Sequence, residues 1–166
     1  MSPRRLRLDD LPALRAEATA AGRTIALANG VFDLFHVGHL RYLEGAKALA
    51  DLLVVAVNSD PSARLLGKGP GRPFIPEDER AEIVAALRCV DHVVLFDAKD
   101  VVPVIRALRP EVQVKGTDYT PDTIPEADEV RRHGGRVAVA GDPKDHSTTA
   151  LLAALARAPA KGPGGG

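Results

Sequence analysis

The chain has 166 residues, 45% of them hydrophobic, which suits one domain with a core of its own. Lys plus Arg and Asp plus Glu stand at 22 each, so no global charge draws the protein to nucleic acid or to an anionic membrane, and any phosphate binding has to be local. The single cysteine, Cys89, excludes an intramolecular disulfide, as a reducing cytoplasm would, and between Leu87 and Val90 it reads as a buried, inert thiol.

Arg4, Arg5 and Arg7 are followed by Asp9 and Asp10 rather than by an apolar core, so no signal peptide is expected. No apolar run approaches the ~20 residues of a membrane span, and the expected location is cytoplasmic. Leu8 to Ala21 predicts an amphipathic lead-in helix with Leu11, Leu14 and Ala18 on one face and Gly22 as its stop, within a domain running from residue 1 to 158. Thr24 to Ala28 is a short apolar first strand. Leu40 to Ala50 then has the spacing of a helix face.

Leu52 to Val57 is continuously apolar, the mark of a strand covered on both faces in a parallel sheet. Asn58 to Pro61 form a turn with Asp60 as the expected cap, followed by a short helix to Leu66. The stretch from Gly67 to Pro73 is too rich in glycine and proline for regular structure and is expected to be the moving part of the molecule. Pro76 to Glu79 open an acidic helix, His92 to Phe96 a third strand, Val101 to Leu108 a helix, and Val112 to Lys115 a fourth strand. Ile124 to His133 predicts an exposed helix, Arg136 to Val139 a fifth strand, and Ser147-Thr148-Thr149 the cap of a last helix through Leu155. The ending, 159–166, is low in complexity and expected to be disordered. Strand and helix alternate throughout, which implies an α/β fold with a five-stranded, mostly parallel sheet and right-handed crossovers.

The chemistry concentrates between the first strand and the first helix, in Asn29-Gly30-Val31-Phe32-Asp33-Leu34-Phe35-His36-Val37-Gly38-His39. His36 and His39, at i and i+3 where a helix begins, project to one side of its first turn. Gly38 removes a side chain that would keep a ligand from the backbone, and the free N–H groups of the turn favour an anion, most naturally a phosphate. Zinc is the rival reading, with Asp33 as a third ligand, but the only cysteine is far away in sequence and no HExxH spacing is present.

These residues resemble the HxGH motif of the cytidylyltransferase-like nucleotidyltransferases. Asn58-Ser59-Asp60, the segment from Arg72-Pro73 through Glu79-Arg80, Val114 to Tyr119 and His146 to Thr149 are similar, in the same order, to the adenylyltransferase domain of ADP-heptose synthases. The resemblance implies a single Rossmann-like (HUP-type) domain that transfers AMP from ATP to a sugar 1-phosphate, with D-glycero-D-manno-heptose 1-phosphate as the best guess, and releases pyrophosphate. The alternatives are a CTP-using enzyme like glycerol-3-phosphate cytidylyltransferase and a non-catalytic nucleotide-binding module.

The resemblance also implies roles for residues. His36, His39 and Lys68 would be catalytic, the histidines donating to the phosphates and Lys68 meeting the α-phosphate or the acceptor phosphate. Asn29, Gly30, Phe32, Asp33, Gly38, Lys115, Gly116, Asp118, Ser147, Thr148 and Thr149 would bind the nucleotide, with Asp118 near ribose or base. Asp33 could instead cap its turn, and Lys68 could be a solvated surface lysine. Arg72 and Arg80 would reach phosphate or substrate, unless they are merely exposed. Lys144 stands near where relatives carry an arginine or a glutamate-glycine pair before the Ser-Thr-Thr run. Mg²⁺ is expected on the triphosphate rather than in a protein cage, with no metal site of the protein's own. The resemblance allows a homodimer. A separate sugar kinase is expected because no kinase segment is fused here, and neither nucleic acid nor membrane is an expected partner. A Rossmann oxidoreductase is disfavoured, since no GxGxxG follows the first strand.

Overall fold

The apolar runs form the strands of one sheet: β1 (Arg5–Leu6), β2 (Ile25–Gly30), β3 (Leu52–Asn58), β4 (His92–Phe96), β5 (Val112–Lys115) and β6 (Arg136–Val139). The computed structural model describes residues 5–143 and 146–159. Lys144 and, apart from Pro159, the carboxyl-terminal tail lie outside the described residues. All pairings are parallel and the order is β1-β4-β3-β2-β5-β6. The sheet thus has six strands where the sequence predicted five. The extra one, Arg5–Leu6, pairs with Val93 and Val94 and is too short to show a period of two.

Helices cover both faces: α1 (Leu11–Ala20), α2 (Val37–Lys47), α3 (Asp60–Leu65), α4 (Glu77–Ala85), α5 (Val102–Leu108), α6 (Ala127–Arg132) and α7 (Thr148–Arg157). Side-chain alternation along the strands builds two cores. Ile25, Leu27, Val54, Ala56 and Val94 pack under α1, α5 and α6, against Leu11, Leu14, Ile105, Leu108 and Val130. Ala26, Ala28, Leu53, Val55 and Val57 pack under α2 and α4, against Leu43, Ala46, Ala81 and Val84. Among the described residues no helix is long and apolar enough to cross a membrane.

Several element boundaries differ from the sequence reading for local reasons. The lead-in segment splits into a 3-10 turn at Leu8–Asp10 and α1, because the Asp10 carboxylate takes the Arg7 amide at 2.7 Å just before Pro12. The cap of α3 is Ser59, whose Oγ accepts from Ser62 N at 3.1 Å, and Asp60 is already helical. The sixth helix starts only at Ala127, since Pro125 follows a 3-10 turn at Pro121–Thr123 and cannot continue it. Cys89 is half-buried, and burial pushes its thiol up, away from the reactive thiolate.

Candidate active site

Strand order reverses at β2: β3, β4 and β1 lie to one side of it, β5 and β6 to the other. In an open parallel sheet such a reversal leaves a crevice at the carboxyl ends of the strands, where their connections diverge. A cleft of about 440 Å³ sits there. It is lined by His36, Gly38 and His39 after β2, by Gly116, Thr117 and Asp118 after β5, by Ala140 to Pro143 after β6, and by Ser147 to Thr149. Lys68 and Arg72 reach it from the glycine-rich loop.

Helix α2 starts at Val37, three residues earlier than the apolar spacing indicates, because His36 caps it. His36 Nδ1 accepts from Gly38 N at 3.1 Å, and His39 Nδ1 accepts from His36 N at 3.3 Å. A backbone amide can only donate, so each Nδ1 is unprotonated and each neutral ring carries its hydrogen on Nε2. The rings stack with centroids 3.8 Å apart. A Cβ on Gly38 would lie 3.0 Å from His36 Nδ1, so the glycine of the motif makes room for the cap itself. Burial, then the neighbouring His36 ring and the Lys68 ammonium, pushes His39 down to about 4 against a weaker opposing pull from Asp33. Burial and the nearby His146 lower His36 as well. The pair is a set of neutral N–H donors at a helix amino terminus.

The turn that delivers them is strained. Phe32 and Leu34 have φ of 55° and 52°, left-handed values that non-glycine residues rarely adopt, and they bracket Asp33. Asp33 holds the turn in place. Its carboxylate accepts from Arg72 Nε at 2.7 Å and from the amides of Phe74 and Ile75, both at 3.1 Å, while its carbonyl accepts from Thr148 Oγ at 2.9 Å. Burial alone would raise the Asp33 carboxyl, but the two amides and the guanidinium outweigh it and hold it below its ordinary range. Asp33 is 2% exposed, so the expected nucleotide contact gives way to an internal tie between three segments.

Arg80 is corrected in the same sense. It is 0% exposed, and its guanidinium donates to the carbonyls of Ile75, Val31 and Asn58 and to Asp60 Oδ1 at 2.6 to 2.9 Å. It binds the ends of β2 and β3 to the start of α4 rather than meeting a phosphate. Arg72 lines the cleft but is paired with Asp33. Phe32 is buried in the core with its ring edge against His39, at 5.4 Å between centroids. Asn29 and Gly30 end β2, and Phe32 packs on Gly30.

Lys115 is 8% exposed and does not line the cleft. Its Nζ lies 3.5 Å from Glu126 Oε1 and 5.3 Å from the Tyr119 ring centroid, and burial pulls its pKa down against the pull of Glu126. Gly116 and Asp118, which follow it, do face the cleft. At the start of α7, Ser147 Oγ accepts from Ala150 N at 3.0 Å and Thr148 is spent on Asp33, which leaves Thr149 and the first-turn amides toward the cleft. Tyr42 and Thr117 are among the cleft residues that escaped the sequence reading. Tyr42, one turn beyond His39 on the same helix face, forms a wall and donates to Val114 O at 2.6 Å. Thr117 donates to Asp142 O at 2.7 Å, and Arg41 pairs with the Asp142 carboxylate at 2.5 Å, which fixes the far rim. Lys144 lies outside the described residues.

Two helix amino termini, those of α2 and α7, thus converge on one cleft with N–H and O–H donors. Such an arrangement of donors is chemically suited to anions such as phosphates. Among the described residues no group of three or more His, Cys, Asp and Glu side chains is placed to hold a metal ion.

The family model described as cytidylyltransferase-like matches residues 27–155. The bifunctional protein HldE of Syntrophotalea carbinolica is 50% identical over 131 residues, 79% of this chain and 26% of that protein. HldE of Geobacter metallireducens is 46% identical over 151 residues, 91% of this chain and 31% of that protein. The chain therefore spans about a quarter to a third of the length of these relatives. Among solved structures, a lipopolysaccharide core biosynthesis protein from Thermoplasma volcanium superposes with a TM-score of 0.61 at 31% identity, covering 71% of this chain and 94% of that one. Pantoate-beta-alanine ligase from Francisella tularensis, at 13% identity and a TM-score of 0.53 over 86% of this chain and 67% of that one, shares the fold.

Proposed function

Because the chain belongs to the cytidylyltransferase-like family, we propose that it is a nucleotidyltransferase that moves AMP from ATP to a sugar 1-phosphate, with D-glycero-D-manno-heptose 1-phosphate as acceptor. The observation that carries this is the pair of neutral Nε2–H donors, fixed in tautomer by backbone amides and lining the same cleft as the amino terminus of α7. The four ordered motifs shared with the adenylyltransferase domain of ADP-heptose synthases support the acceptor, and a lipopolysaccharide core protein among the solved neighbours fits a role in cell-surface glycans.

In this reaction an oxygen of the acceptor phosphate attacks the α-phosphorus in line. A new P–O bond forms as the bond to the bridging oxygen breaks, and pyrophosphate leaves with the bonding pair. The acceptor phosphate is already ionised, so no general base is required. The protein positions the groups and stabilises charge. His36 and His39 donate to oxygens that gain charge in the transition state, at no cost in reorganisation. Thr149 and the first-turn amides of α7 hold the departing phosphates, and Lys68 adds charge at the α-phosphate. Mg²⁺ would arrive with the triphosphate and would offset part of its charge. Gly116 and Asp118 line the side of the cleft where ribose and base would lie.

The test is pyrophosphate release with Mg²⁺, crossing ATP, CTP, GTP and UTP against heptose 1-phosphate, glycerol 3-phosphate and hexose 1-phosphates. Release with ATP and heptose 1-phosphate supports the reading. Release with CTP and glycerol 3-phosphate replaces the substrates and keeps the mechanism. ATP binding with no release from any pair leaves a binding module.

A further inference from the structure

A second cavity, of about 330 Å³, lies between α3 and the glycine-rich loop. Its walls carry three cations, Arg64, Lys68 and Arg72, and no carboxylate. Lys68 and Arg72 line the main cleft as well, so the two cavities adjoin at these side chains. Arg64 lines only the second. It stands on the last turn of α3, exposed, with Ala63 beside it buried against the domain, so its position is set by a helix rather than by the loop. Across the cavity, Gly69 and Gly71 have φ of 119° and 73°, which lets the loop curve around the space without side chains entering it.

A concave wall with this charge selects an anion. Arg72 already meets Asp33, which leaves the cavity with a cation on α3 that the histidine cleft does not share. We propose that this cavity seats the phosphate monoester of the acceptor, with Arg64 as the residue that selects for it. The inference rests on the transferase reading above and deepens it. In-line displacement requires the nucleophile to enter opposite the leaving pyrophosphate. The pyrophosphate belongs to the amino terminus of α7, so the acceptor arrives over the wall formed by Lys68 and Arg72, where the second cavity opens. A guanidinium there grips two oxygens of a phosphate dianion at once and leaves the third to attack.

The test is steady-state pyrophosphate release by the full chain with ATP and heptose 1-phosphate, comparing wild type with Arg64→Ala and Arg64→Lys. The acceptor KM should rise about tenfold in Arg64→Ala and recover in part in Arg64→Lys, while the KM for ATP stays within about twofold. Arg64 is exposed, so thermal melting should not move. An acceptor KM within about twofold of wild type, or an equal rise in both KM values, overturns the assignment and leaves the transferase reading standing. A wild-type enzyme that releases no pyrophosphate with this pair refutes the parent reading and takes the seat with it.

Discussion

Asp33 Oδ2 accepts a 2.7 Å hydrogen bond from Arg72 Nε, and through that one carboxylate the histidine turn and the glycine-rich loop are held as a unit. The carboxylate is fully covered and the arginine nearly so. Removing one partner of such a pair leaves a buried charge unmet and costs about 3–5 kcal/mol. Asp33→Ala should therefore lower unfolding free energy by roughly that amount in urea titrations, and Asp33→Asn by less, about 1–3 kcal/mol, since its remaining oxygen can still take an amide. A loss under about 1 kcal/mol in Asp33→Ala would show that the loop does not depend on it.

Arg80 poses the same question without any ligand nearby. Arg80→Met keeps much of the volume but leaves three carbonyls, those of Val31, Asn58 and Ile75, without their donor. The expected loss is again about 3–5 kcal/mol by denaturant unfolding. Wild-type stability in this variant would mean that the guanidinium is a passenger in the core.

For the histidines, folding and chemistry can be separated. Asn caps helices well but has no Nε2 hydrogen, so His36→Asn should preserve the start of α2 while losing a phosphate donor. Turnover should fall by about 10²–10³-fold in His36→Asn and in His39→Ala, with circular dichroism unchanged. Near-normal turnover in either variant removes that ring from the mechanism.

The buried ring also gives stability a pH dependence. His39 titrates at about 4 in the folded chain against 6.5 when free, so between these values the unfolded chain binds a proton that the folded chain refuses. Its contribution is whole above pH 6.5 and is lost as pH falls from 6.5 toward 4. Melting temperatures measured over that range should fall with pH, and less steeply in His39→Gln. Identical slopes would show that another group carries the effect.

Most of the sheet was legible because strands covered on both faces, such as Leu52 to Asn58, announce themselves as unbroken apolar runs. Arg5–Leu6 was not, because two residues carry no period and acquire strand character only from Val93 and Val94. The site divides in the same way. His36, Gly38 and His39 are neighbours, and their geometry follows from local helix rules. The family resemblance assigns Asp33 and Arg80 to ligand, and most of the groups that satisfy them are far away in sequence. Their partners lie at Arg72 and at Val31 and Asn58, and only the fold brings those together. Tyr42 was concealed by its place among the apolar positions of α2, where a phenol and a core residue read alike.

The reversal of strand order has a consequence for the order of events on heating. β2 is paired with β3 along its whole length, Ile25 to Gly30, but with β5 only at Ala26, Leu27 and Ala28. That short seam joins the half of the molecule bearing the histidines to the half bearing Gly116 and Asp118, and a bound nucleotide would straddle it. Warming should part the seam before it melts the β3–β2 side, so the protein would lose its grip on nucleotide while most of its secondary structure is intact. A saturating nucleotide would act as a rivet across the join, delaying amide exchange in β5 and β6 more than in β3.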